Sequence, residues 1–144
     1  MVAVVAIRDD RMCFACSPHN PIGLKMSFSQ DGDLCFAHFT PGENHQGWSG
    51  YLHGGLVATL LDEAMAQWLW SRGIVAMTAE MTVRYSRAIP IGVPVKVAAR
   101  MTGGRKRLLQ LEAEVTLPDG SVGARATAKF LRVPGTAAQG PPIL

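Results

Sequence analysis

The segment His53-Gly54-Gly55 runs directly into Leu56-Val57-Ala58-Thr59-Leu60-Leu61-Asp62-Glu63-Ala64-Met65-Ala66-Gln67-Trp68-Leu69-Trp70. The two glycines stand where a helix begins. Their backbone N–H groups have no intrahelical partner there and lie at the positive end of the helix dipole. Such donors can hold the oxyanion that develops on an attacked carbonyl, and the missing side chains let that oxygen approach. Further along, Asp62 and Glu63 interrupt an otherwise apolar run. A carboxylate among apolar neighbours is costly unless it has a partner or a task. It can activate water as a general base, or attack directly and form an anhydride. Donors and base together are the parts of an acyl-transfer site.

Helical spacing separates the two acids. Asp62 shares a stripe with Ala58, Thr59, Met65 and Ala66, where small residues leave room for a substrate. Glu63 has Thr59 and Gln67 at helical spacing, a more polar stripe suited to hydrogen bonding or to a partner subunit. The plain alternative for Asp62 is an acid satisfied by Thr59 or by a neighbouring strand. Gly54 and Asp62 are roughly 12 Å apart along the helix at about 1.5 Å per residue. A reacting carbonyl must lie about 3 Å from its donors with the attacking group close by. One helix does not easily serve both ends. The site is therefore expected to be shared, Gly54 from one copy of the chain and Asp62 from a second. His53 either orients the loop, caps the helix or polarises the carbonyl.

These residues need a scaffold. The helix over residues 53–70 is apolar on every side, so it is expected to be buried all round. Residues 1–23 are irregular, with turn chemistry at Ser17-Pro18-His19-Asn20-Pro21-Ile22-Gly23. Leu24, Met26 and Phe28 alternate with polar residues as in a strand. Gln30-Asp31-Gly32-Asp33 signals a hairpin, and a second strand follows over 34–39. Residues 40–52 form a polar, Gly-rich loop. After the helix, Ser71-Arg72-Gly73 supplies a stop. Four alternating runs follow: Met77 to Tyr85, Val93 to Met101, Leu109 to Leu117 and Val122 to Phe130. Ala88 to Gly92, Gly103-Gly104 and Pro118-Asp119-Gly120 are expected to separate them. Residues 135–144 read as a mobile tail. Short turns imply antiparallel neighbours, and each strand has one apolar face to cover. The fold class is α+β: a curved antiparallel sheet of about six strands wrapped around one long central helix, in a single domain spanning 1–144.

Composition narrows the function. The chain has 144 residues, 48% of them hydrophobic, which is globular rather than disordered. A net charge of +3 is too small for a nucleic-acid footprint, although Arg105-Lys106-Arg107 suits a phosphorylated small molecule. The sequence has no apolar run of about 18 residues, so no membrane span is expected. The first seven residues lack the basic region of a signal peptide, and a cytoplasmic chain is expected. Cys13, Cys16 and Cys35 are odd in number, which fits a reducing compartment. Cys13-Phe14-Ala15-Cys16 has the spacing of a redox or metal pair, which His19, Cys35 and His38 could complete as a zinc site. Packed, inert thiols are the plainer reading, and no metal or redox cofactor is expected.

The residues also resemble a known family. The order strand–strand–helix–four strands resembles the hotdog fold. His53-Gly54-Gly55, with Asp62 nine residues after His53, resembles the acyl-CoA thioesterases of the PaaI-like group. The run Thr78-Ala79-Glu80-Met81-Thr82-Val83-Arg84-Tyr85, followed by Pro90 and Gly92, is similar to the strand after the helix in that group. Cys13 and Cys16 before Asn20-Pro21-Ile22-Gly23-Leu24 are similar to an N-terminal signature of some members. The resemblance covers roughly residues 13–133. It implies hydrolysis of an acyl- or aryl-coenzyme A thioester by a homodimer or dimer of dimers with shared sites. It assigns the acid to Asp62 and places Thr78 near the attacking water. Members often carry an Asn in the loop before the His-Gly-Gly; here the neighbourhood is His45-Gln46-Gly47, and either Gln46 takes that role or it is vacant. Arg87, Arg105, Lys106 and Arg107 are candidates for the phosphates of coenzyme A. Readings from other classes are an acyl-CoA-binding or sensing module without turnover, and a metal or redox role through Cys13 and Cys16. A hotdog dehydratase lacks a separate His/Asp pairing here.

Overall fold

The computed structural model describes residues 11–133. Among these, one 17-residue helix and six strands form, in the order β1 (Ser29–Asp31), β2 (Leu34–Phe39), α1 (Gly54–Trp70), β3 (Ala76–Tyr85), β4 (Val95–Arg105), β5 (Leu108–Thr116) and β6 (Val122–Arg132), with a 3₁₀ turn at Glu43–His45. The strands make one sheet of order β1-β2-β4-β5-β6-β3, and every neighbour is antiparallel. The helix lies against the sheet's inner face. Leu60, Leu61, Ala64 and Met65 meet Val97, Ala99, Leu111, Val115, Ala124 and Phe130 in one core, all nearly inaccessible to water. This is the architecture expected of the alternating strands and the long apolar helix. No helix among the described residues is long and apolar enough to cross a membrane. The expectations for residues 1–10 and 134–144 lie outside the described residues.

Trp68 ties the far end of α1 to the β1–β2 hairpin. Its indole N–H donates to the Asp33 carbonyl at 2.8 Å, and the Arg72 guanidinium lies 3.7 Å from its ring centre.

Four local expectations are corrected. The segment 24–28 buries Leu24, Met26 and Phe28 in alternation, yet β1 begins only at Ser29. The N–H groups of Leu24 and Met26 donate to the carbonyls of Phe14 and Ala15 instead of a sheet ladder, and Lys25 has φ 53°, which breaks an extended run. Next, Gly103-Gly104 does not turn the chain. Both lie within β4 beside a bulge, and the turn falls at Lys106-Arg107, with Lys106 at φ 55°. Gly104 is there because a Cβ would sit 2.9 Å from the Leu108 carbonyl oxygen, whereas one on Gly103 would meet only the end of the Gln110 side chain at 3.4 Å. Gly104→Ala is therefore expected to destabilise the fold by about 1–3 kcal/mol, and Gly103→Ala by less than about 0.5, read from urea unfolding.

The third correction is at β3. Strict alternation would turn Met77 and Ala79 inward with Met81, Val83 and Tyr85. Instead the register with β6 skips Ala79: Thr78 pairs with Phe130 and Glu80 with Lys129. The extra residue reverses the phase before it. Thr78 then shares the helix-facing side with Met81, Val83 and Tyr85, and Met77 is left 40% exposed. Finally, α1 is not enclosed on all sides. Ala58, Thr59, Asp62 and Ala66 are only half-buried, so a stripe of small residues around Asp62 remains open in the single chain.

Candidate functional site

The start of α1 is exposed and rigidly capped. His53 has extended backbone at φ −60°, ψ 133°, and its Nδ1 accepts the Gly55 N–H at 2.8 Å. That bond leaves the proton of a neutral ring on Nε2. It also removes Gly55 from the available donors. The Gly54 N–H has no partner among the described residues. Gly54 is held from the other side as well, because the Tyr85 hydroxyl donates to its carbonyl at 2.7 Å. Tyr85 gave no signal in the sequence beyond being the last inward position of its strand.

An open concavity of about 440 Å³ lies beside this terminus, lined by Gln46, Gly47, Trp48, Leu52, His53 and Gly54. Trp48 stands at it 87% exposed. A tryptophan in a polar, Gly-rich loop is the sequence signal that could have singled it out, since large aromatics are rarely left in water without a contact to make. Gln46 lines the concavity, but its amide is engaged within the loop. Nε2 donates to the Glu43 carbonyl at 2.8 Å, and Oε1 accepts the Gly50 N–H.

Midway along α1, Asp62 and Thr78 meet. The Thr78 hydroxyl donates to Asp62 Oδ1 at 2.7 Å. The bulge at Ala79 makes this possible by turning Thr78 toward the helix. Asp62 is half-buried and its pair with Thr78 reaches the surface, so its second oxygen can face a ligand. Thr59, the other partner weighed for Asp62, donates instead to the Gly55 carbonyl.

Glu63 faces elsewhere. Its Oε2 accepts from Gln67 Nε2 at 3.2 Å, and the Cys13 thiol donates to its Oε1 at 3.5 Å. Burial, and secondarily Cys13, push its pKa up to about 8. Within the pair, the hydrogen bond with Cys16 draws Cys13 down to about 5, while the same bond and burial push Cys16 up. Cys35 is apart, raised to about 11 chiefly by burial. Cys13 and Cys16 thus gather with Glu63, and not with His19, Cys35 or His38.

The basic candidates are divided between the two ends of the sheet. Arg87 lies by the β5–β6 turn, bonded to Asp119 at 3.2 Å and to Ser121 at 2.7 Å. Ser121, and secondarily Arg87, hold Asp119 below its ordinary pKa. Arg105, Lys106 and Arg107 lie at the opposite hairpin, where Arg107 donates to the Arg132 carbonyl. The length of β5 separates them, about 27 Å at roughly 3.4 Å per residue. Within one chain the three-residue basic cluster does not reach the Gly54 end of the helix.

The arrangement holds one free donor at an open helix start and one hydroxyl-anchored carboxylate on an open stripe, with about 12 Å of helix between them. The Thioesterase superfamily model matches residues 49–124 of this chain. The acyl-coenzyme A thioesterase THEM4 of Rattus norvegicus is 32% identical over 97 residues, covering 66% of this chain and 41% of that protein. The chain thus spans about two fifths of the length of that relative. A solved structure of a thioesterase superfamily protein overlays with a TM-score of 0.80 at 24% identity, covering 84% of this chain and 63% of the other. The PaaI protein of E. coli, from the phenylacetic acid degradation operon, overlays with a TM-score of 0.73 at 21% identity, covering 78% and 83%. At these identities the structures support the fold alone.

Proposed function

The chain belongs to the thioesterase superfamily, and from that premise we propose that it hydrolyses the thioester of an acyl- or aryl-coenzyme A as a cytoplasmic homodimer or dimer of dimers. The observation that carries this reading is the Thr78–Asp62 pair, a carboxylate held at 2.7 Å by a neutral donor on an open, small-residue stripe of the helix. Thr78 fixes one oxygen and orients the other. Asp62 then takes a proton from water as it attacks the thioester carbonyl, or attacks that carbonyl itself. The Gly54 N–H of the second subunit receives the oxyanion, and His53, fixed by its bond to Gly55, keeps that N–H pointed outward. Collapse of the oxyanion breaks the C–S bond and releases the coenzyme A thiolate, which takes up a proton as it leaves. On the nucleophilic route water then opens the Asp62 anhydride. The relative named an acyl-coenzyme A thioesterase supports the choice of substrate, and the odd number of cysteines fits a reducing compartment.

The shared site finds support at the sheet edge. Among the described residues β3 pairs with β6 alone and leaves Met77 and Tyr85 exposed. A long, partly apolar edge strand is a natural place for a second copy to pair. In such a dimer, Arg105, Lys106 and Arg107 are the candidates to meet the coenzyme A phosphates from the copy that supplies Asp62, and Arg87 from the copy that supplies Gly54.

One observation favours a second reading. The Gln46 amide is engaged within its own loop, which speaks against its taking the role of the loop Asn. An acyl-CoA sensor without turnover is consistent with that. Free-thiol release from a panel of short, long and aryl acyl-CoAs separates the two. Turnover on some member is expected; saturable binding with no thiol release on any member would replace hydrolysis with sensing.

Thr78→Ala is expected to lower kcat by about tenfold, the worth of one hydrogen bond to a charged group, and Thr78→Ser to restore most of it. A single turnover in ¹⁸O-water with hydroxylamine trapping assigns the role of Asp62: label in its carboxylate, or a trapped Asp62 hydroxamate, marks a nucleophile, whereas label only in the product with no trapped adduct marks a base.

A further inference from the structure

Outside the Asp62 site, the N-terminal segment and α1 bring together a second cluster. We propose that Cys13, Cys16, Glu63 and Gln67 bind one zinc-class divalent cation that clasps the N-terminal segment to the central helix.

The donor atoms are already assembled. Cys13 Sγ, Cys16 Sγ and a Glu63 carboxylate oxygen all lie within 4.8 Å of one another, and Cys13 Sγ is 3.5 Å from Glu63 Oε1. Tetrahedral zinc with sulfur at about 2.3 Å and oxygen at about 2.1 Å needs neighbouring ligand atoms roughly 3.5–3.8 Å apart. The cluster needs only a small contraction to meet that.

The backbone around the sulfurs is shaped for ligation. The Ser17 N–H donates to the Cys13 carbonyl at 3.0 Å, which turns the chain so that both cysteines face the helix. The Cys16 N–H donates to Cys13 Sγ at 3.4 Å. A backbone donor on a cysteine sulfur stabilises its thiolate and orients it, as outer partners of metal ligands do.

Gln67 supplies an independent observation. It sits one helical turn beyond Glu63 and is only 6% exposed. Its Nε2 touches Cys16 Sγ at 3.5 Å and Glu63 Oε2 at 3.2 Å, while its Oε1 is buried with no hydrogen-bond partner. Such orphans are rare in native interiors and call for an explanation. A half-turn of the amide brings Oε1 to where Nε2 now lies, facing the same cluster. That oxygen becomes the fourth ligand in place of the Nε2 contacts to Cys16 and Glu63.

Two thiolates, one carboxylate and one amide oxygen in a tetrahedral set select a borderline divalent cation such as zinc over magnesium or calcium. Binding displaces the thiol protons to solvent and changes no oxidation state. A redox disulfide between Cys13 and Cys16 is the competing use of the pair. It uses the two sulfurs but gives Glu63 no part and leaves Gln67 Oε1 without a partner, so it accounts for half of the cluster.

The test is the metal content of tag-free protein purified without chelator, followed by titration with zinc against a chromophoric chelator and by cobalt substitution. One zinc per chain is expected, with a thiolate-to-cobalt charge-transfer band in the substituted protein. Outer partners of metal ligands are worth about 10–100-fold in affinity, so Cys13→Ser and Cys16→Ser should each lower zinc affinity by more than that. Gln67→Leu should weaken it as well, and Cys35→Ala should leave the stoichiometry at one. Should the cysteine variants fail to fold, the wild-type titration and the cobalt spectrum decide alone. Reduced wild-type protein that takes up no zinc, or cobalt bound without a thiolate band, overturns the proposal. A Cys13–Cys16 disulfide in protein that shows no metal affinity after reduction overturns it in favour of a redox pair.

Discussion

Asp62→Asn is expected to lower kcat on the preferred acyl-CoA by about 10²–10⁴-fold, the range for a lost general base, with little change in KM. The substitution is nearly isosteric. The amide oxygen of asparagine can still accept the Thr78 hydroxyl that now donates to Asp62 Oδ1 at 2.7 Å. Folding should therefore be preserved, and a thermal melt within a few degrees of wild type checks it. What the variant lacks is a second oxygen able to take a proton or to attack. Glu114→Gln, which breaks an ion pair with Arg125 on the outer face of the sheet, serves as the charge-loss control and should leave turnover unchanged. A kcat within tenfold of wild type would remove Asp62 from the mechanism. Turnover retained in Asp62→Asn but lost in Glu63→Gln would transfer the role to the neighbouring acid.

The two acids show how far the sequence could be read. Their helical phase is a matter of about 100° per residue, so it was legible that Asp62 and Glu63 face different surroundings and that Gln67 falls beside Glu63. The identity of the surroundings was not. Cys13 is 50 residues from Glu63, and nothing in local pattern brings the N-terminal segment onto the helix. β3 is a sharper case. Alternation announced the strand from Met77 to Tyr85 but predicted the wrong side for its first residues, because a single inserted residue leaves every apolar residue apolar and shifts only the phase. Thr78 was reached through a family resemblance; the physical reason it meets Asp62 is the bulge at Ala79, which alternation alone hides. Gly103-Gly104 failed in a related way. Glycine marks both turns and close backbone approaches, and only the Leu108 carbonyl beside Gly104 distinguishes the two. Elements that depend on near neighbours were readable: the helix start, the Gly32 hairpin, the β6 alternation. Contacts across the fold, such as Tyr85 on the Gly54 carbonyl, were not.

Gly54→Pro is expected to lower kcat by about 10²–10³-fold, the worth of an oxyanion donor, while leaving the fold intact. Gly54 is the first residue of α1, the one helical position where proline is favoured because its N–H has no intrahelical partner. The residue before it, His53, already has φ −60° and ψ 133°, the conformation a following proline requires. A Cβ at position 54 meets Tyr85 no closer than 3.6 Å, an ordinary contact. The substitution thus replaces the N–H by the ring Cδ, removing the donor and closing the space in front of it without disturbing the helix. Gly54→Ala keeps the N–H and isolates crowding, which should appear in KM rather than kcat. The same variant tests the shared site. In a mixture with Asp62→Asn, each mixed dimer holds one site with both Gly54 and Asp62 intact if the two residues come from different subunits. Equal amounts exchanged to equilibrium should then recover about a quarter of wild-type turnover per chain, since half the dimers are mixed and half their sites are whole. If Gly54 and Asp62 serve a site within one chain, every site in the mixture carries a lesion and nothing is recovered. Recovery therefore requires the subunit boundary to run through the site, between the start of the helix and its middle.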